Sequence, residues 1–189
     1  MTRLLFLLIC LSTIAMTPLQ KKKIVFFGDS ITQAGVNPGG YIDLIRKKVE
    51  TGKKADQYEL IGAGIGGNKV YDLYLRMEDD VLAHKPDVVV VYVGINDVWH
   101  KSSLGTGTDL DKFEKFYNAI IRKLQSAGIE VALCTPSVIG ELKENENPQD
   151  KDLNAYSEVI RKLADTHKCK LIDLRKAFQQ YIQSNNKDN

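Results

Sequence analysis

Ile24-Val25-Phe26-Phe27-Gly28-Asp29-Ser30-Ile31-Thr32 passes from four apolar residues directly into a glycine and a serine. An unbroken apolar run of this length reads as a strand buried on both faces. The glycine ends it and delivers a hydroxyl to the carboxyl edge of a sheet, where open α/β folds assemble their sites. A second run, Val88 to Val93, ends in Gly94-Ile95-Asn96-Asp97. Two polar endings on two buried strands predict one site built from distant parts of the chain.

The rest of the sequence alternates in the same manner. Strands are predicted over Lys23 to Gly28, Tyr58 to Gly62, Asp87 to Gly94, Ile129 to Thr135 and Lys170 to Leu174. Between them, apolar residues recur at three- and four-residue spacing, as in Phe113, Phe116, Tyr117, Ile120, Ile121 and Leu124 before Gly128. Val70 to Val81 and Leu153 to Ala164 show the same single apolar face, and Tyr41 to Val49 a shorter one. A last helical stretch covers Arg175 to Ile182. This alternation predicts right-handed βαβ units and a five-stranded parallel sheet with helices on both faces. Gly140 to Asp150, polar and holding Pro148, reads as a surface loop.

A length of 189 residues fits one domain with a real core, and a net charge of +2 gives no basis for binding nucleic acid. Residues 1–20 read as a signal peptide: Arg3, an apolar stretch from Leu4 to Met16, then Thr17 and Pro18. An uncleaved anchor or a buried N-terminal helix are the alternatives. The folded domain is expected over 21–189, in a secreted or periplasmic protein without stable membrane insertion after cleavage. Cys134 and Cys169 fall at different heights on neighbouring strands, which predicts two buried free thiols. No cysteine and histidine cluster has metal-ligand spacing, and no cofactor is expected.

Ser30 needs a base and an oxyanion site before it can act as a nucleophile. Its plain alternative is a βα turn in which Ser30 or Thr32 caps the next helix. Asn96 can aim a side-chain NH₂ at developing negative charge, while Asp97 reads as a cap. Gly62-Ala63-Gly64-Ile65-Gly66-Gly67-Asn68 spells a dinucleotide fingerprint, G-x-G-x-x-G. A ribose-binding acid should then end the next strand, whereas Glu78, Asp79 and Asp80 fall within a helical pattern. The other reading is a tight turn whose amides face a reacting oxygen.

Together the three blocks resemble the SGNH (GDSL-type) hydrolases. Gly28-Asp29-Ser30-Ile31-Thr32 looks like the nucleophile block, Ile65-Gly66-Gly67-Asn68 the glycine block, and Gly94-Ile95-Asn96-Asp97 the asparagine block. The resemblance runs from about Ile24 onward. It implies a three-layer, flavodoxin-like α/β sandwich and ester hydrolysis through an acyl-enzyme on Ser30. It makes the Ser30 and Gly67 amides and the Asn96 side chain the oxyanion donors, and a small-molecule, glycan or lipid ester the substrate. Asp29 and His100 are candidate substrate contacts. Gly62 stands where many members carry asparagine.

The resemblance also implies a base from an Asp-x-x-His block after the last strand, and none follows Leu174. His84 and His167 precede strands and so belong to the opposite rim. Only His100 emerges on the edge that carries Ser30, as a substitute base or a cleft contact. Two expectations compete: a fragment, which is preferred, or a natural carbohydrate- or lipid-binding protein without turnover. In either case weak hydrolysis is expected, and an exposed apolar patch beside the first strand.

Overall fold

The structure, a computed structural model, describes residues 20–143 and 145–187. The segment read as a signal peptide lies outside the described residues except for Gln20. Five strands, β1 (Lys22–Gly28), β2 (Tyr58–Gly64), β3 (Val88–Tyr92), β4 (Glu130–Cys134) and β5 (Lys170–Ile172), form one parallel sheet in the order β2-β1-β3-β4-β5. The helices are α1 (Ser30–Gly35), α2 (Tyr41–Thr51), α3 (Val70–Asp80), α4 (Ile95–Ser103), α5 (Leu110–Ser126), α6 (Asp150–Thr166) and α7 (Leu174–Asn185). The result is the expected three-layer α/β sandwich.

Strand alternation separates the two faces. Val25, Phe27, Val89, Val91, Val131 and Leu133 point to one side, where they join the apolar stripes of α3, α5 and α6 in a single core. Phe113, Tyr117, Ile120 and Leu124 are fully buried there. Full burial of one such side chain contributes about 1.5–3 kcal/mol.

The second face is covered less completely. Tyr41 of α2 packs edge-on against Phe26 and Tyr92, with ring centroids 5.7 and 6.3 Å apart. Between α2 and α7 an apolar hollow of about 300 Å³ remains, floored by Phe26, Val90, Tyr92, Cys134 and Ile172 and flanked by Ile31, Ile45 and Phe178. The hollow lies where an exposed apolar patch was expected beside the first strand, but Phe26, Tyr92 and Cys134 on its floor are buried, and Ile45, Ile172 and Phe178 are its exposed members.

Three sequence expectations change. The mostly unalternating apolar runs predict strands buried on both faces, yet β5 is exposed throughout and β2 is only partly covered. Both are edge strands, and the second face lacks a continuous helical layer. Two helices, α1 and α4, have no counterpart among the predicted elements; at six and nine residues they are too short to display a periodic stripe. Cys134 is buried but Cys169 only half-buried, and both are free. Cys134 pairs in register with Ile172, three residues beyond Cys169, so the thiols sit at separate heights.

Candidate active site

The register of the sheet builds the site. Gly28 of β1 lies opposite Gly64 of β2 and Tyr92 of β3, so three chain segments leave the sheet at one level. Neighbouring strands are about 4.8 Å apart, which brings their following turns within side-chain reach.

From β1 the chain enters α1 through Asp29. Its carboxylate accepts the Ile31 amide at 3.0 Å, so Asp29 caps the helix. Neither Ser30 nor Thr32 has that role: the Thr32 hydroxyl pairs with Tyr41 Oη at 3.1 Å, and Ser30 is the exposed first residue of α1. Asp29 is only 2% exposed, and the contact its carboxylate makes is this helix cap. Burial pushes its pKa up to about 6, against the pull of the Ile31 amide.

From β2 the chain turns through Ile65-Gly66-Gly67-Asn68-Lys69. A Cβ on Gly66 would lie 3.9 Å from Ser30 Cβ, so this turn passes beside the serine. Gly67 holds φ +76°, a left-handed conformation natural to glycine. A Cβ there would meet His100 Cε1 at 3.8 Å. Ser30 and His100 thus border consecutive glycines.

The amides of this turn are nearly all engaged. Ile65 donates to Gly28 O, Gly66 to Gln33 Oε1 and Asn68 to Ile65 O. Lys69 donates to Asp72 Oδ2, and Val70 to the Asp97 carboxylate. Gly67 N–H is the exception, without an acceptor among the described residues. The Ser30 amide likewise has none, as befits the first residue of a helix.

From β3, Gly94 leads into α4. Asn96, 3% exposed, donates Nδ2 to Asn68 O at 3.0 Å, which leaves its second amide hydrogen free. Asp97 is fully buried, and its carboxylate caps not its own helix but the Val70 end of α3. Burial pushes its pKa up to about 6.

Arg76 went unrecognised in the sequence. From α3 it donates to Asn68 Oδ1 (2.7 Å), Gly28 O (2.7 Å) and Ala63 O (3.1 Å), pairs with Asp80, and lies 4.6 Å from the Phe27 ring centroid. It ties the ends of β1 and β2 to the glycine turn. An arginine within an amphipathic helix carries no local signal of that role.

The other two histidines lie elsewhere. His84 precedes β3, its carbonyl accepting Lys23 Nζ, and His167 precedes β5 with Nε2 on Asn118 Oδ1 at 2.6 Å. The dinucleotide reading also loses its basis. A Cβ on Gly64 would sit 2.1 Å from Gln33 N, and one on Gly62 would sit 2.3 Å from Val36 Cγ1. Both glycines let the α1 segment lie against β2, and a side chain at Gly62 would have to displace the exposed Val36 methyl. Asp80 is paired with Arg76. Among the described residues, no group of three or more histidines, cysteines and acids is arranged to hold a metal ion.

Residues 26–188 match the GDSL-like lipase/acylhydrolase family. The chain belongs to that family. A crystal structure of an acetyl xylan esterase, AlAXEase, is 65% identical to this GDSL-family chain with a TM-score of 0.87, over 88% of this chain and 84% of that one. LAE5, an alpha/beta hydrolase from the metagenome of Lake Arreo, is 28% identical with a TM-score of 0.79, over 87% and 82%. An acetylxylan esterase of Geobacillus stearothermophilus is 27% identical over 178 residues, 86% of this chain and 80% of that protein. The GDSL-family chain is an ester hydrolase.

Proposed function

We propose that this protein is a secreted serine esterase that removes acetyl groups from xylan-type sugars through an acetyl-enzyme on Ser30. The observation that carries this reading is the unengaged Gly67 amide in the turn that passes, at Gly66, beside Ser30. Ser30 Oγ attacks the ester carbonyl. The oxygen that becomes negative is received by the Ser30 and Gly67 amides and the free hydrogen of Asn96 Nδ2. Such donors act where charge develops, and removing one from an established oxyanion site costs roughly 10²–10³ in kcat. The Ser30 hydroxyl proton leaves to solvent as the bond to the carbonyl carbon forms. The tetrahedral species collapses with loss of the sugar alkoxide, which takes up a proton in exchange. Water then adds to the acetyl-enzyme, releasing acetate and restoring the Ser30 hydroxyl.

The acetyl specificity is supported by what the 65% identical relative is named for. An open rim also supports it: Ser30 and Gly66 are exposed, and Trp99 leaves 48% of its surface free, its ring 5.9 Å from that of His100. An exposed indole suits the flat face of a sugar. His100 is a substrate contact in this scheme. Partial burial and the Lys69 charge both lower its pKa from the ordinary imidazole value.

In this scheme none of His84, His100 and His167 acts as the base: His84 and His167 lie before β3 and β5, away from Ser30, and His100 is a cleft contact. We therefore expect these 189 residues alone to acylate slowly. The same feature favours the second reading, a carbohydrate- or lipid-binding protein without turnover. A fluorescent organophosphonate and acetylated xylo-oligosaccharide separate the two. The esterase reading expects slow labelling and acetate release, both lost in Ser30→Ala; it fails if Ser30→Ala releases acetate as fast as the parent. Hydrolysis of p-nitrophenyl acetate at about 10 s⁻¹, an ordinary enzyme rate, would show that one of these residues, His100 first, serves as the base.

A further inference from the structure

We propose that Asp97 is a positioning residue which, paired with its neighbour Asn96, clamps the chain just after Gly67 and so keeps the Gly67 amide pointed at the reacting oxygen. The proposal rests on the oxyanion role given to Gly67 above.

The geometry is a two-point grip. Asn96 Nδ2 holds Asn68 O at 3.0 Å, and the Asp97 carboxylate holds Val70 N at 3.2 and 3.3 Å. Two consecutive residues on α4 thus fix two points, two residues apart, on another segment. One grip takes a carbonyl and the other an amide, so together they set both the position and the roll of the Asn68-Lys69-Val70 backbone. Gly67 lies immediately upstream. As a glycine at φ +76° it has no side chain of its own to keep it in place.

Upstream of Gly67 the fastening is lighter. Gly66 N–H is held by the exposed Gln33 side chain. Ile65, 45% exposed, has two long backbone bonds: its N–H donates to Gly28 O and its carbonyl accepts the Asn68 N–H, each at 3.3 Å. Orientation of the free amide is therefore governed from the downstream side.

Asp97 is also an unfavourable residue to bury unless it does something. It has no exposed surface, and burial opposes its charge. Burying a carboxylate is costly unless hydrogen bonds and nearby charge offset it, and here the Lys69 charge favours the ionised form only in part. What it gains here is the Val70 amide at the start of α3, a group that otherwise lacks an intrahelical acceptor. A negative group at a helix N-terminus is further favoured by the aligned peptide dipoles.

The test uses the full chain, ¹⁵N-labelled, with p-nitrophenyl acetate as substrate. In Asp97→Ala the Gly67 and Val70 amide cross-peaks move, and kcat falls by about tenfold or more with KM within about twofold, the pattern of an interaction made in the transition state. Asp97→Asn, whose side-chain oxygen still accepts from Val70, restores both. Should Asp97→Ala not fold, Asp97→Ser, polar but too short to reach Val70, gives the same readings. A Gly67 cross-peak unmoved in the variant, or an unchanged kcat, overturns the proposal. Failure of the underlying reading looks different: Ser30→Ala then hydrolyses the ester at the parent rate, and the Gly67 cross-peak alone judges the clamp.

Discussion

Burial governs two carboxylates at the carboxyl edge of the sheet, and its sign can be followed into stability. Asp29 and Asp97 both have pKa values of about 6 in the fold, against 3.8 ordinarily. The folded chain therefore holds their protons more tightly than the unfolded chain. Their contribution to stability is full below about pH 4 and is lost as pH rises to about 6, by up to roughly 3 kcal/mol for each. Asp173 works in the opposite direction, its carboxyl held low by Arg161, so its contribution fades as pH falls. We expect Asp97→Asn to be more stable than the parent at pH 7.5 and to lose that advantage at pH 4, measured by urea unfolding at both values. An equal difference at the two values would rule this account out. Ser30, Gly67 and Asn96 were legible in the sequence because each follows a strand-ending glycine or lies in a glycine turn. The inward Asp29, the reach of Asp97 to Val70 and the several bonds of Arg76 were not. Those partners lie up to 48 residues away along the chain, and no local pattern encodes them.

The pairing of α1 with β2 shows what a missing side chain can do for an element. Gly64 lies against the backbone of Thr32 and Gln33, atoms that cannot turn aside as a flexible side chain would. Gly64→Ala should therefore destabilise the fold by about 2–3 kcal/mol, at the upper end of what overpacking costs, and show it as a lower urea midpoint with unchanged slope. An unaltered midpoint would mean that α1 yields freely. The long elements were legible because α3, α5 and α6 each bury a full stripe, which writes itself into the spacing of their apolar residues. α1 and α4 were not. They form because Asp29 caps one and Gly94 opens the other, and they are too short to repeat anything.

Across the molecule, the two faces of the sheet are held by different means. One is an ordinary apolar core. On the other, α7 is anchored by Arg175, which has no exposed surface and binds Asp150, the Ser137 carbonyl at 3.1 Å and Asn154 Oδ1 at 2.9 Å. That group ties the loop after β4 to both α6 and α7. Arg175→Ala leaves the buried Asp150 carboxylate without its cation and with the two Asn147 donors on Oδ2, and should cost about 3–5 kcal/mol in chemical denaturation. A loss below about 1 kcal/mol would show that water or a neighbour replaces the guanidinium.

Cys134, on the floor of the hollow between α2 and α7, combines confinement with chemical quiet. Burial pushes its thiol up to about 12, so it stays protonated at any physiological pH. Since the thiolate is the reactive form, iodoacetate and other anionic alkylators should pass it by, whereas a small neutral mercurial able to enter the apolar space should find it. The residue is thus a built-in gauge of whether that space is open or filled in solution.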